Sequence, residues 1–142
     1  RKGFDIKAVD VSAKAISMAI EKSKDYGILV DFETQDFITK KTEGSVYGFV
    51  FDRGCFHSMK TDSEKKAFVD NVYESLYDKG IWLSLIGSTD SNHEGSGPPK
   101  LSATEITKLV EGKFRIISLK AGLFDSDSEV PPDIWVMELR KR

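Results

Sequence analysis

Three acids stand where strand-like runs end: Asp10 after 6–9, Asp36 just beyond 29–34, and Asp52 after 46–51. A carboxylate at the carboxyl end of a strand can accept two charge-assisted hydrogen bonds from a ribose diol, which a neutral side chain does less well. Asp10 is the strongest candidate of the three. Its competing role is that of a surface acid beside a helix N-terminus, where the macrodipole also favours negative charge. Asp52 opens the segment Asp52-Arg53-Gly54-Cys55-Phe56-His57, which places a guanidinium, a glycine, a thiol and an imidazole close together. Arg53 can orient an anionic group, and Gly54 permits close backbone approach. His57 can act as a general base, or can hydrogen-bond the backbone and hold the loop in place. Cys55 is expected as a small buried thiol. As the sole cysteine it excludes an intramolecular disulfide and a multi-cysteine metal site. His93 sits in a polar stretch without a partner at ligand spacing, so no metal is expected.

The elements that must position these residues follow from periodicity and caps. Residues 6–10 read as a short buried strand. Ser12 caps a helix with Ile16, Ala19 and Ile20 on its apolar face, and Gly27 is its stop. A second strand covers 29–34, and 40–45 is a polar connection. Residues 46–52 form the clearest buried strand. Thr61 and Glu64 have capping-box spacing ahead of a helix whose apolar face is Phe68, Val69, Val72, Tyr73 and Leu76, with Gly80 following. A strand at 81–86 comes next, then a glycine-, serine- and proline-containing loop at 87–100, of the length usual for functional or mobile loops. Ser102 and Glu105 repeat the capping box before a helix to Val110. Strands at 114–124 and 134–139 close the chain, joined through Pro131-Pro132 with no room for a helix. The order β-α-β-β-α-β-α-β-β predicts an α/β fold with a mostly parallel sheet, ended by one antiparallel hairpin.

Composition bounds the function. With 142 residues the chain suits a single domain, and it carries 21 basic and 23 acidic residues for a net charge of −2. That balance argues against nucleic acid and anionic membrane as broad partners. No apolar run is long enough to cross a bilayer, and no secretory leader opens the sequence, so the expected compartment is cytoplasmic.

Lys7-Ala8-Val9-Asp10-Val11-Ser12-Ala13-Lys14-Ala15 resembles the second-strand motif of class I, Rossmann-like S-adenosylmethionine-dependent methyltransferases. Phe32-Glu33-Thr34-Gln35-Asp36-Phe37 resembles their third-strand motif. The run from Phe49 to His57 is similar to the fourth-strand motif of the thiopurine- and tellurite-resistance-type small-molecule subgroup. Ile81 to Ile86 resembles the fifth strand, and the final hairpin the antiparallel seventh. The resemblance spans the whole chain, 1–142, as one methyltransferase-like domain with a doubly wound sheet. It also places a first strand and a glycine-rich loop ahead of Gly3, so the chain is expected to be an N-terminally truncated domain.

The resemblance implies S-adenosylmethionine as cofactor and methyl transfer to a small-molecule acceptor by direct displacement. Asp10 and the adjoining Val11 would meet the ribose, and Asp36 and Phe37 the adenine. Asp52 and Arg53 would lie where the methionine end of the cofactor meets the acceptor. Two alternatives stay open: a nicotinamide-dinucleotide-binding domain, and a non-catalytic methyltransferase-like binding module. A missing central strand would leave two strand edges facing an empty slot. Direct pairing of 6–10 with 46–52 is the expected remedy; a homodimer that lends a strand, or a segment outside 1–142, are the others.

Overall fold

The structure is a computed structural model describing residues 3–40, 44, 46–91, 99–125 and 130–142. The chain divides into two compact units, Arg1–Lys41 and Thr42–Arg142.

The first unit is a single right-sized β-α-β module. Strand β1 (Lys7–Asp10) runs parallel to β2 (Asp31–Thr34), with Lys7 opposite Asp31 and Asp10 opposite Thr34. Parallel strands need a crossover, and helix α1 (Ala13–Asp25) supplies it. The Ser12 hydroxyl accepts the Ala15 N–H, satisfying one of the donors that a helix start leaves open. Gly27, at φ +60°, takes the left-handed turn that ends the helix. Lys7 bridges to Asp31 and Glu33 across the ladder, and Lys40 reaches Glu33 as well. Lys40 first and Lys7 second hold the Glu33 carboxyl down at about 2.

The second unit holds strands β3 (Tyr47–Arg53), β4 (Leu76–Gly87), β5 (Phe114–Leu123) and β6 (Asp133–Lys141), in the order β3-β4-β6-β5. β3 and β4 are parallel, whereas β6 is antiparallel to both neighbours. The terminal hairpin therefore folds back to insert its last strand inside the sheet. Helices α2 (Cys55–Ser58), α3 (Asp62–Ser75) and α4 (Ala103–Val110) complete the unit. Both capping boxes form, Thr61 with Glu64 and Ser102 with Glu105. Alternate residues of β4, Trp82, Ser84 and Ile86, are buried together with Phe56, Phe68, Val69, Val72, Ile106 and Phe114. Trp82 is the hub of this core, with ring centroids 5.4 Å from Phe56, 5.5 Å from Phe114 and 6.0 Å from Phe68. The opposite parity carries Phe49 and Phe51, each more than half exposed, beside half-buried Ile81, Leu83 and Leu85.

Two expectations need correction. The strands ending at Asp10 and Asp52 do not pair: β1 is hydrogen-bonded to β2 and β3 to β4, in two separate sheets. Direct pairing rested on the cost of burying unpaired backbone groups. Lys7, Asp10, Phe49 and Phe51 are exposed, so neither strand is buried throughout and the cost is smaller than a buried sheet would impose. The helix expected to run to Leu76 stops at Ser75 because Leu76 already pairs with Tyr47 as the first residue of β4.

Candidate functional site

The carboxyl edge of the first unit gathers one set of candidates. Asp10 ends β1, and Asp36 lies two residues past the end of β2, its parallel neighbour. The Gln35 N–H donates to the Asp10 carbonyl at 2.9 Å, which carries the ladder past the named strands. Both acids are exposed and are oriented by their own backbone. The Ser12 N–H donates to Asp10 Oδ1 at 2.7 Å, and the Ile38 N–H to Asp36 Oδ1 at 2.9 Å. Each is an Asx turn, which fixes one carboxylate oxygen and leaves the other free of protein partners among the described residues. Val11, beside Asp10, is 73% exposed, and Phe37 is half-buried. An aimed carboxylate beside an exposed apolar side chain suits a ligand with a hydroxyl edge and a flat apolar face.

The carboxyl edge of β3 is built differently. Asp52 is buried, on the same parity of the sheet as Trp82. Its Oδ2 accepts the Trp82 indole N–H at 2.9 Å, and its Oδ1 accepts the Phe56 N–H at 3.1 Å. Burial pushes its carboxyl above the usual range, against the pull of these donors. Asp52 thus ties β3 to Trp82 of β4 and to α2 through its two oxygens. Gly54, at φ +86°, turns the chain from β3 into α2 in a conformation that side chains resist.

His57 lies on α2 and is 1% exposed. The Gly87 N–H, at the end of β4, donates to His57 Nδ1 at 2.9 Å. An imidazole that accepts at Nδ1 carries its proton on Nε2 and has no second lone pair to offer. Burial also holds its pKa below the ordinary value. The Gly87 hydrogen bond engages the Nδ1 lone pair and ties α2 to the end of β4. Arg53 is exposed, donates to the Asp125 carbonyl at 2.7 Å, and lies 5.1 Å over the Phe124 ring. Cys55 is exposed, contrary to the buried thiol expected, because it is the first residue of α2 after the turn at Gly54. His93 lies outside the described residues. Among the described residues no three His, Cys, Asp or Glu side chains stand together as a metal set. Among them, too, no helix is long and apolar enough to cross a membrane.

Sequence reasoning missed Trp82 and Gly87, the partners that define Asp52 and His57. Trp82 left a signal, since a buried indole needs an acceptor. Gly87 acts through its backbone and left none.

No family model matches the chain. Several solved structures superpose on nearly all of it. One is an S-adenosylmethionine-dependent methyltransferase from Methanosarcina mazei, 11% identical, with a TM-score of 0.84 over 99% of this chain and 83% of that one. The fold is that of the class I methyltransferases. A second neighbour, 1,6-didemethyltoxoflavin-N1-methyltransferase from Burkholderia thailandensis, holds bound 1,6-didemethyltoxoflavin and S-adenosylhomocysteine. It is 17% identical, with a TM-score of 0.76 over 99% of this chain and 62% of that one. By sequence the chain resembles three proteins of Schizosaccharomyces pombe, each named an uncharacterized methyltransferase, at 29% identity over 90 residues. The match spans 63% of this chain and 62% of each relative, less than two thirds of their length.

Proposed function

We propose that the protein carrying this chain transfers a methyl group from S-adenosylmethionine to a small-molecule acceptor, in the cytoplasm. The observation that carries the reading is the pair of exposed, backbone-oriented carboxylates at the ends of two adjacent parallel strands, Asp10 and Asp36, within a methyltransferase fold. Named methyltransferases among its sequence relatives support it, as does the toxoflavin enzyme for a small acceptor.

The residues fit the cofactor at the nucleoside end. Asp10 would accept from the ribose hydroxyls and Asp36 from the adenine amino group, with Val11 and Phe37 supplying apolar contact. Asp52, buried and accepting from Trp82 and Phe56, would serve the fold more than the cofactor. When bound, the cofactor supplies an electrophilic methyl on a good leaving group. The protein's own work is then alignment and exclusion of water, with proximity and orientation the main sources of rate. No residue needs to form a covalent intermediate.

Calorimetric titration of the protein with S-adenosylhomocysteine, and separately with a nicotinamide dinucleotide, tests the reading. Tight binding of the first and not the second is expected. Asp10→Ala should weaken it by roughly 30- to 1000-fold, the loss of two charge-assisted hydrogen bonds at about 2–4 kcal/mol. Preference for the dinucleotide would overturn the assignment.

A further inference from the structure

Arg53 joins two strands that are not neighbours. Its guanidinium, at the exit of β3, donates to the Asp125 carbonyl at 2.7 Å and lies 5.1 Å over the Phe124 ring. Both partners follow the end of β5, and β4 and β6 stand between β3 and β5. At about 4.8 Å per strand, the ends of β3 and β5 are about 14 Å apart. The segment after Leu123 must therefore fold back over the ends of β6 and β4 to meet Arg53.

Register sets what lies beneath. Arg53 is opposite Leu85, Leu85 opposite Val136 and Val136 opposite Lys120, one row across a single face of the sheet. The next row toward the carboxyl edge is Gly87, Ile134 and Gly122. Ile134 thus has a glycine on either side and no cross-strand side chain to cover it. A Cβ on Gly122 would come within 3.6 Å of Ile134 Cγ1, so the isoleucine does lie on this face. Elsewhere on the face Phe49, Phe51 and Arg140 are exposed, and Leu83, Leu85 and Val136 are half-buried. Ile134 is nevertheless 2% exposed. Arg53 comes from the row before it and Phe124 from beyond it, so their contact crosses its row.

We propose that Arg53 and Phe124 form a strap that seals Ile134 at the carboxyl end of this face, opening to admit small molecules and closing over them. The fastening suits that use. Arg53 is exposed, and its grip is a hydrogen bond and a cation–π contact. The other ties at this edge, from the Gly87 N–H to His57 and from the Asp133 N–H to Ser91 Oγ, are part-buried. Contacts made by exposed groups open at lower free energy than those of a core. The proposal rests on the methyl-transfer reading, for which it supplies the exclusion of water. Arg53 is then a positioning residue, acting through the chain that follows β5.

The test reads 13C-labelled isoleucine δ1-methyl signals in the presence of a soluble paramagnetic chelate, whose broadening measures contact with solvent. In the wild type the Ile134 methyl should broaden as little as that of Ile106, which is 1% exposed. Arg53→Ala should raise the Ile134 broadening at least about threefold and leave Ile106 unchanged. Phe124→Leu, which removes the ring face alone, should raise it less. Arg53→Lys keeps a charged donor and should restore most of the shielding. Saturating S-adenosylhomocysteine should slow hydrogen exchange of the Phe124 amide, which donates to the Pro132 carbonyl, by about threefold or more in the wild type and not in Arg53→Ala. The proposal is overturned if Ile134 stays shielded in Arg53→Ala, if Ile106 loses its shielding along with it, or if bound S-adenosylhomocysteine leaves Phe124 exchange unchanged. Failure of S-adenosylhomocysteine to bind would sink the methyl-transfer reading instead, and the Ile134 signals without it still report on the strap.

Discussion

Asp10 and Asp52 look alike in sequence, each an acid closing a strand-like run, yet they are opposites in the fold. Asp10 is exposed, with one oxygen held by the Ser12 N–H and the other without a partner among the described residues. Asp52 is 8% exposed, with both oxygens taken by the Trp82 indole and the Phe56 backbone. What separates them is burial. β1 lies in a two-stranded sheet and holds no buried residue, whereas Asp52 falls on the parity of β3 that shares the core with Trp82. An acid at a strand end is open to a ligand when its parity or exposure turns it outward. Otherwise it is a core anchor.

The sharpest way to break this contrast is through stability. Asp52→Ala strands two buried donors, each at about 1–3 kcal/mol, and should cost about 3–5 kcal/mol in urea unfolding. Asp10→Ala should stay within about 1 kcal/mol by the same measurement, since its lost partner is an exposed N–H that water can serve. Equal losses at both positions would erase the distinction.

pH sharpens it from another side. Burial depresses the folded-state pKa of His57, so the unfolded chain binds the extra proton. The stability this residue contributes is whole above the ordinary value of 6.5 and is lost as pH falls from there through the lower folded value. His57→Asn should flatten that part of the stability curve. Asp52 has the reverse sign. Its folded pKa is raised, so stability falls as pH rises from the ordinary 3.8 toward the lifted value, and Asp52→Asn should remove that slope. Urea midpoints measured from pH 4 to 8 check both directions.

The smallest effect expected is at the start of α3. Thr61→Ala removes half of a capping box and should cost about 1 kcal/mol in thermal or urea unfolding, with ligand affinity unchanged.

Much of the architecture was legible because local chemistry and tertiary structure agree. Ser12, Thr61 and Ser102 cap the helices that their spacing announced, and the short polar link through Pro131-Pro132 left only a hairpin return. The order of strands within the sheet was less legible, since hydrophobic runs do not say which edges meet. The pairing expected between the strands of Asp10 and Asp52 is absent, and nothing in their hydrophobic pattern could have said so. At the site, Asp10 and Asp36 were readable because turn chemistry is local: each is held by the backbone N–H two residues on. Asp52, Cys55 and His57 were not, because their roles depend on Trp82, on the turn at Gly54 and on the Gly87 backbone, two of these thirty positions away in sequence.

The central claim, that Asp10 serves the cofactor while Asp52 serves the fold, is tested most directly by two isosteric variants in one assay. S-adenosylhomocysteine affinity is measured by calorimetry for Asp10→Asn and Asp52→Asn under conditions where both are folded. Asp10→Asn should bind at least about tenfold more weakly than wild type, and Asp52→Asn within about threefold of it. The reverse order, with affinity intact in Asp10→Asn and lost in folded Asp52→Asn, would contradict it.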